Sequence, residues 1–293
     1  MNMFICPICD SKRYIKKYKI MGYNLLQCCE CGVILLEHGM DFSQIKRIYK
    51  KNYFNNINSL VGYIDYFSIQ KGLERTFENR LKTIQILRNP TNLLDVGTST
   101  GMFLKVCNAG GIKAQGIELS AEAVKYARNT LGVTVTHTSL EEFVSNEKFD
   151  VITSWDVIEH IYSPNPFLGK VHELLNDGGY FVFTTGNIES LVAKISGKRW
   201  HLFNLPDHIF FYSEKTITRL LSKHKFKVIR ISYPHSVYNL SYLLERFMKT
   251  VLRMSNPKLI HNLAYNQIFK NLVIPFNLFD IMQVVAVKLT DDK

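Results

Sequence analysis

Between residues 92 and 185, short apolar runs alternate with longer stretches whose apolar residues recur every three to four positions. The runs NLLDV (92–96), KAQGIEL (113–119), VTVTH (133–137), FDVITSW (149–155) and YFVFTT (180–185) have strand length and strand composition. The stretches MFLKVCNAG (102–110), SAEAVKYARNTLG (120–132) and PFLGKVHELLNDGG (166–179) read as helices. In the second helix Ser120 is placed as N-cap, Glu122 lies in the first turn and Gly132 is the stop. Further on, SEKTITRLLSKHKF (213–226) predicts a helix capped by Ser213, and KVIRISY (227–233) and MQVVAVKL (282–289) predict two more strands. A βαβαβ succession of this kind predicts an α/β fold built on a doubly wound, mainly parallel sheet.

Two regions depart from this alternation. Residues 39–90 read as helical and aromatic-rich, and Leu73, Phe77, Leu81, Ile84 and Leu87 recur at helical spacing before Asn89-Pro90 ends the pattern. The stretch 236–277 separates the last two strands, and NLSYLLERFMKTVLRM places Leu240, Leu243, Leu244, Phe247 and Val251 on one helical face. Such a helix packs on the domain, forms a lid, or lies on a membrane surface where a lipid-linked substrate is held. The expected organisation is a module at 1–38, a helical linker or lid at 39–90, and one α/β domain at 91–293 with a helical insertion at about 236–277.

Composition changes this picture modestly. With 293 residues, 46% hydrophobic and 21% charged, the chain can bury a sizeable core. No apolar run reaches the roughly 18 to 20 residues that span a bilayer, and no secretory pattern opens the sequence. A cytoplasmic location is therefore expected, where thiols stay reduced. The net charge of +11 is unevenly spread: residues 91–187 hold 6 Lys/Arg against 11 Asp/Glu, while the flanks are basic. Basic flanks suit an anionic small molecule, a nucleic acid or an anionic membrane surface, and they also describe ordinary solvated faces.

Cysteine usage is more informative. Five of six cysteines fall within 26 residues, as Cys6-Pro7-Ile8-Cys9, an 18-residue spacer, and Cys28-Cys29-Glu30-Cys31-Gly32. Two CxxC-type turns joined by a short hairpin close a four-coordinate site with no open position, the spacing of a structural zinc ribbon. Cys6, Cys9, Cys28 and Cys31 are the expected ligands and Cys29 a bystander. The hairpin strands are expected at 14–19 and 23–27 around Met21-Gly22, and Gly32 suits the positive φ of such a turn. A redox CxxC would open a helix within a βαβ unit, a context missing here. Cys107, in an apolar helical stretch, reads as a small buried hydrophobe.

The loop Asp95-Val96-Gly97-Thr98-Ser99-Thr100-Gly101 joins the first strand to the first helix. It lacks the GxGxxG spacing of dinucleotide folds and the lysine of a P-loop. Glu118 ends the next strand, 21 residues after Gly97, where an acid can accept both hydroxyls of a ribose. A ligand with a ribose, no phosphate and a sulfonium cation, S-adenosylmethionine, suits an acidic pocket.

Taken together, LLDVGTSTGMFL, GIELS, FDVITSWDVIEHI and LLNDGGYFVFTT resemble the class I S-adenosylmethionine-dependent methyltransferases, over roughly residues 91 to 233. The resemblance implies a Rossmann-like seven-stranded sheet with an antiparallel last strand, here MQVVAVKL. It places Gly97 and Gly101 against the methionine portion, Glu118 on the ribose, Ser139 and Leu140 near the adenine, and Trp155 and Asp156 beside the sulfonium. Asp95, Thr98 and Leu119 complete the candidate cofactor set.

Methyl transfer is an in-line displacement that needs a held nucleophile and often a base. Candidate bases are Asp156, Glu159 and His160 in WDVIEHI, and His201 and His208 in RWHLFNLPDHIFFYSEKTI. The second segment resembles the stretch before the last helix in the ubiquinone-methyltransferase-like group. It is also similar to the HEHFSYFT stretch of sugar C-methyltransferases, which likewise carry an N-terminal cysteine module, although Leu205 stands where those enzymes have tyrosine. On that match His208 takes the active-site histidine position, and His160 either acts with it or orients the loop over the cofactor. His201, beside Trp200, reads as packing or binding. The leading expectation is O- or C-methylation of a small biosynthetic intermediate such as a sugar nucleotide, glycan precursor or secondary metabolite. An RNA methyltransferase and a non-catalytic binding protein on a degenerate version of the fold are the alternatives.

Overall fold

The computed structural model describes residues 5–37, 70–88, 90–250, 256 and 267–290. The last residue of the expected module, the expected linker from 39 to 69 and much of the tail insertion lie outside the described residues.

Three strands open the chain: β1 (Tyr14–Ile20), β2 (Tyr23–Cys28) and β3 (Ile34–Leu36). β1 and β2 form a hairpin whose two-residue turn uses Met21 (φ 51°) and Gly22 (φ 87°), the pair of positive φ values that a twist-matched hairpin turn demands. Helix α1 (Gln70–Arg88) then leads into the alternating region. This comprises β4 (Asn92–Val96), α2 (Met102–Ala109), β5 (Lys113–Glu118), α3 (Ala121–Asn129), β6 (Thr134–His137) and β7 (Phe149–Trp155). After a 3-10 turn at Ile158–His160 come α4 (Pro164–Leu174), β8 (Leu175–Gly186), α5 (Leu191–Ser196), the two-residue β9 (Phe210–Phe211), α6 (Glu214–Lys223) and β10 (Phe226–Ser232). The chain closes with β11 (Ser236–Asn239), α7 (Leu240–Thr250), α8 (Gln267–Asn271), β12 (Val273–Phe276) and β13 (Ile281–Lys288).

Seven strands form the central sheet in the order β10-β13-β8-β7-β4-β5-β6. β4 to β8 run parallel, and β13 is antiparallel to both neighbours. This is the Rossmann-like, doubly wound sheet with an inverted last strand. The strand order reverses between β4 and β7, so the loops leaving their carboxyl ends flank a crevice, the place where such sheets bind ligands. Helix starts are fixed locally: the Ser120 hydroxyl accepts from the Ala123 amide, and Ser213 and Thr216 form a reciprocal capping box. α4 ends at Leu174, earlier than its sequence pattern predicts, because Leu175 already pairs with Phe149 in the sheet.

Two findings were not visible in the pattern. The cysteine hairpin does not stop at its own strands: β3 pairs with β9, giving a four-stranded sheet β1-β2-β3-β9 that takes in a piece of chain from beyond residue 200. The Leu36 amide also donates to the Ile209 carbonyl at 2.9 Å. Cys6, Cys28, Cys31, Val33 and Leu35 share one buried core with Ile209, Phe210, Tyr212 and Ile158. In the tail, the expected helical stretch is bracketed by an antiparallel pair, β11 with β12. β11 is bound to α1, where the Thr76 hydroxyl accepts from the Val237 amide at 2.7 Å, and Gly72 packs so closely that a Cβ would come within 2.6 Å of the Val237 carbonyl oxygen.

Leu35 belongs to a buried core that takes in residues of both sheets and is 1% exposed. Leu35→Ala is expected to cost about 2–5 kcal/mol, the usual range for a buried leucine truncation, read as a shift in the urea midpoint at constant slope.

Candidate active site

The crevice is built first by the loop after β4. Gly97 (φ 73°), Ser99 (φ 53°) and Gly101 (φ 79°) lie in the left-handed region as the chain turns from strand to helix. A Cβ on Gly97 would meet Val157 at 2.7 Å, and one on Gly101 would meet Val133 at 2.7 Å, so both glycines are required by space as well as by backbone angle. The Gly97 and Thr98 amides donate to the Ile117 carbonyl, which holds the loop against the end of β5. There the buried Glu118 carboxylate accepts from the Ser99 amide through Oε2 and from the Leu119 and Ser120 amides through Oε1. Oε2 keeps acceptor capacity for a ligand hydroxyl. Burial pushes this carboxyl up, and the three amides pull it part of the way back. Ser139 and Leu140 are buried just beyond β6, and the His137 ring nitrogen Nε2 contacts the Leu119 carbonyl at 2.9 Å. The structure thus gathers Asp95, Gly97, Thr98, Gly101, Glu118, Leu119, Ser139 and Leu140 at the ends of three adjacent strands.

Asp95 is fully enclosed within this cradle. Its Oδ1 accepts the Thr153 hydroxyl at 2.6 Å. Burial raises its carboxyl to about 7, an effect opposed by Thr153, Thr98 and the Arg80 charge and reinforced by Glu118.

On the other side of the crevice, Trp155 ends β7 and Asp156 follows with φ 55°. The Thr184 hydroxyl donates to Asp156 Oδ1 at 2.8 Å. Arg80 of α1 is the residue that the sequence reading missed. Its guanidinium stacks over the Trp155 ring at 4.5 Å and lies 3.9 Å from Asp156, and its Nε finds no hydrogen-bond partner in the protein. The signal was present in the pattern, because Arg80 interrupts the apolar stripe Phe77, Leu81, Ile84 on its buried face. A buried guanidinium with a spare donor is suited to a carboxylate. With Glu118 for ribose hydroxyls, Arg80 for a carboxylate, and Asp156 and the Trp155 face for a cation, the donor set fits S-adenosylmethionine.

Past Asp156 the 3-10 turn carries Glu159 and His160 toward the segment between α5 and β9. The rings of His160 and His208 meet edge to face with centroids 4.6 Å apart. His160 Nδ1 contacts the Asp207 carbonyl at 3.0 Å, and His208 Nε2 lies 3.4 Å from Asn204 Nδ2. Glu159 accepts the Thr185 hydroxyl at 3.1 Å, and its own carbonyl accepts from the Ile209 amide. Burial pushes Glu159 up to about 8, with help from Asp156, and pushes both imidazoles down, His208 the further. His201 is held apart from this pair, 3.5 Å from Asp280, which also accepts the Trp200 indole N–H.

The cysteine cluster lies behind β9. Cys6 and Cys31 sulfurs are 3.6 Å apart, those of Cys9 and Cys28 3.5 Å, and all four fall within 4.8 Å of one another. A tetrahedral thiolate site with metal–sulfur bonds of about 2.3 Å has edges of roughly 3.8 Å, so this geometry fits one. The Cys31 hydrogen bond holds the Cys6 thiol down at about 5, aided by the Ile8 and Cys9 amides, and Cys31 is raised correspondingly. Cys29 is exposed and outside the cluster, and Cys107 is buried in the core of the central sheet.

The sheet order, the glycine turn and the acidic strand end define a methyltransferase-type, S-adenosylmethionine-binding fold. Residues 68–231, more than half of the chain, match the family model described as "Methyltransferase domain", and the chain belongs to that family. Among curated proteins it is 31% identical over 127 residues to a ubiquinone biosynthesis O-methyltransferase of Actinobacillus pleuropneumoniae, covering 39% of this chain and 54% of that one. It is 27% identical over 139 residues to a ubiquinone biosynthesis O-methyltransferase of a Bradyrhizobium strain, covering 45% and 54%. The chain spans about half the length of the curated relatives it matches. Among solved structures it resembles the magnesium protoporphyrin IX methyltransferase of Synechocystis with bound SAH (TM-score 0.53, 14% identity, 85% of this chain and 100% of that one). It also resembles a SAM-dependent methyltransferase of Archaeoglobus fulgidus (TM-score 0.50, 17% identity, 73% and 94%). At these identities the structural likeness establishes the fold.

Asp95 gives this site a pH signature. Its folded-state value of about 7 lies above the roughly 3.9 of an unfolded aspartate, so the folded chain binds the extra proton between them. The stabilisation is present below about pH 4 and is lost as pH rises through 7. Asp95→Asn is expected to flatten the fall in urea midpoint between pH 4 and 8.

Proposed function

We propose that this chain is an S-adenosylmethionine-dependent methyltransferase acting on a hydroxyl, or an activated carbon, of a small biosynthetic intermediate. The observation that carries the reading is the pairing, across one crevice, of a complete cofactor cradle with a buried histidine pair. The names of the curated relatives favour oxygen as the acceptor atom. The segment from Trp200 to Ser213, similar in sequence to that of small-molecule methyltransferases, favours a small acceptor such as a sugar nucleotide, glycan precursor or secondary metabolite. No helix among the described residues is long and apolar enough to cross a membrane, in keeping with a cytoplasmic enzyme.

When bound, S-adenosylmethionine supplies an electrophilic methyl group on a sulfonium. The chain's own residues bind, orient and exclude water. Glu118 accepts from ribose hydroxyls, Arg80 holds the carboxylate of the methionine portion, and Asp156 with the Trp155 face favours the cationic end. Ser139 and Leu140 form the far wall. On the acceptor side, His160 and His208 are kept neutral by burial, the state in which an imidazole nitrogen can take the acceptor proton. The Asp207 carbonyl fixes the His160 ring by contact with Nδ1 and leaves Nε2 free. Cys6, Cys9, Cys28 and Cys31 hold structural zinc, which fastens the strand that follows His208.

Calorimetric titration should show S-adenosylmethionine binding to the wild-type chain and at least ten-fold weaker binding to Glu118→Ala. Turnover should fall by about 10²-fold or more in His208→Ala, with cofactor affinity retained. No cofactor binding by correctly folded protein would sink the enzyme reading in favour of a degenerate binding module. For the metal, zinc should fall below one per chain in Cys28→Ser and stay at one in Cys29→Ser.

A further inference from the structure

The sheet register sets four residues in one row near its carboxyl edge. Trp155 faces Thr184, Thr184 faces Gln283, and Gln283 faces Ser232. Residues opposite one another on neighbouring strands point to the same face. Val151, Val182 and Val285, on that face of β7, β8 and β13, share a core with Phe77, Leu81 and Ile84 of α1, so the row looks toward α1.

Two buried polar atoms of this row have no hydrogen-bond partner among the described residues: the Trp155 indole Nε1 and Gln283 Oε1. Gln283 is 1% exposed, and a buried amide oxygen left without a donor costs stability. Between the two stands the short Thr184, its hydroxyl already donated to Asp156, so two long side chains flank a notch. Neighbouring strands lie about 4.8 Å apart, so about 10 Å separates the backbones of Trp155 and Gln283, room for a small ring.

The tail supplies a wall. β11 is locked to α1 through Thr76, one turn before Arg80. Tyr238 of β11 stacks on Tyr242 of α7, with ring centroids 5.2 Å apart and planes at 18°. Both residues are half-buried. Burial pushes the Tyr238 hydroxyl up to about 12, and the charges of Asp156 and Arg80 both reach it, so this tyrosine stands at the Asp156 end of the row.

We infer that Gln283, the Trp155 indole N–H and the Tyr238 ring form the pocket that receives the methyl acceptor, and that the acceptor is a hydroxylated ring. A hydroxyl is a small neutral group that donates to an amide oxygen and accepts from an indole N–H at once. The Tyr238 ring takes the flat apolar face. The hydroxyl held here is an anchor, distinct from the one methylated, so the acceptor carries more than one. Asp156 adjoins both this row and the cofactor cradle, which sets the pocket beside the methyl donor. Phenolic and sugar rings share this chemistry. The inference rests on the proposed methyltransferase function, whose acceptor it specifies.

The test is a calorimetric titration of the full chain, saturated with S-adenosylhomocysteine so that no turnover occurs, against two probes, phenol and methyl α-glucopyranoside. At least one should bind the wild-type chain, phenol if the ring is aromatic and the glucoside if it is a sugar. Gln283→Met and Tyr238→Leu should each weaken that probe by about ten-fold, the loss of one hydrogen bond or one ring contact. Gln283→Met should keep S-adenosylhomocysteine affinity within about two-fold of wild type and raise the urea midpoint, because it removes an unpaired buried acceptor. Failure of both probes to bind, a probe indifferent to Gln283→Met, or a lowered midpoint in that variant overturns the pocket. A wild-type chain that binds a probe but no S-adenosylhomocysteine would instead fail the methyltransferase reading and leave the pocket standing.

Discussion

Two backbone segments that are nearly 180 residues apart in sequence meet as β3 and β9, and the placement of the His160–His208 pair depends on that short pairing. Ile34 faces Phe211 and Leu35 faces Phe210. β9 begins two residues after His208, so the edge of the cysteine hairpin determines where that histidine can sit. A two-residue strand has little stability of its own. It is held because its partner strand is anchored a few residues away by Cys31, and because Phe210, Tyr212 and Ile209 bury their side chains in the core that also holds Cys6 and Cys28. Lys223 of α6 adds an exposed ion pair to Asp10, of the kind that contributes little energy but fixes orientation.

The cofactor side rests on a different principle. There the central sheet supplies rigid strand ends, and the ligand groups are mostly backbone amides and side chains within two residues of those ends. Glu118, Asp95 and Trp155 need no long-range support beyond the sheet itself. The side that carries His160 and His208 is assembled from loops and borrowed strands, which on the proposed function leaves the rigid half for the common ligand and the variable half for the acceptor.

This division explains what was legible in the sequence. The seven strands, the glycine loop and Glu118 were readable because each depends on local periodicity or on turn chemistry at fixed spacing. The clustering of Cys6, Cys9, Cys28 and Cys31 was readable because two CxxC turns joined by a short hairpin bring their thiols together. Arg80 was missed because a lone charged residue on an apolar helical face says that something unusual is buried but not what it meets. β9 was invisible because two residues carry no period, and its partner lies at the other end of the chain. The convergence of Glu159 with His208 likewise depends on how two loops pack, which no local pattern encodes.

The contact between α1 and β11 has a consequence for how this chain tolerates change. Thr76 and Arg80 sit one turn apart on the same helix, Thr76 hydrogen-bonded to Val237 and Arg80 stacked on Trp155. The tail hairpin therefore sets the rotation of the helix that presents the guanidinium. A substitution in a segment that looks like a peripheral insertion therefore reaches the crevice through α1. A graft that exchanges this tail between relatives would carry part of the cofactor pocket's alignment with it.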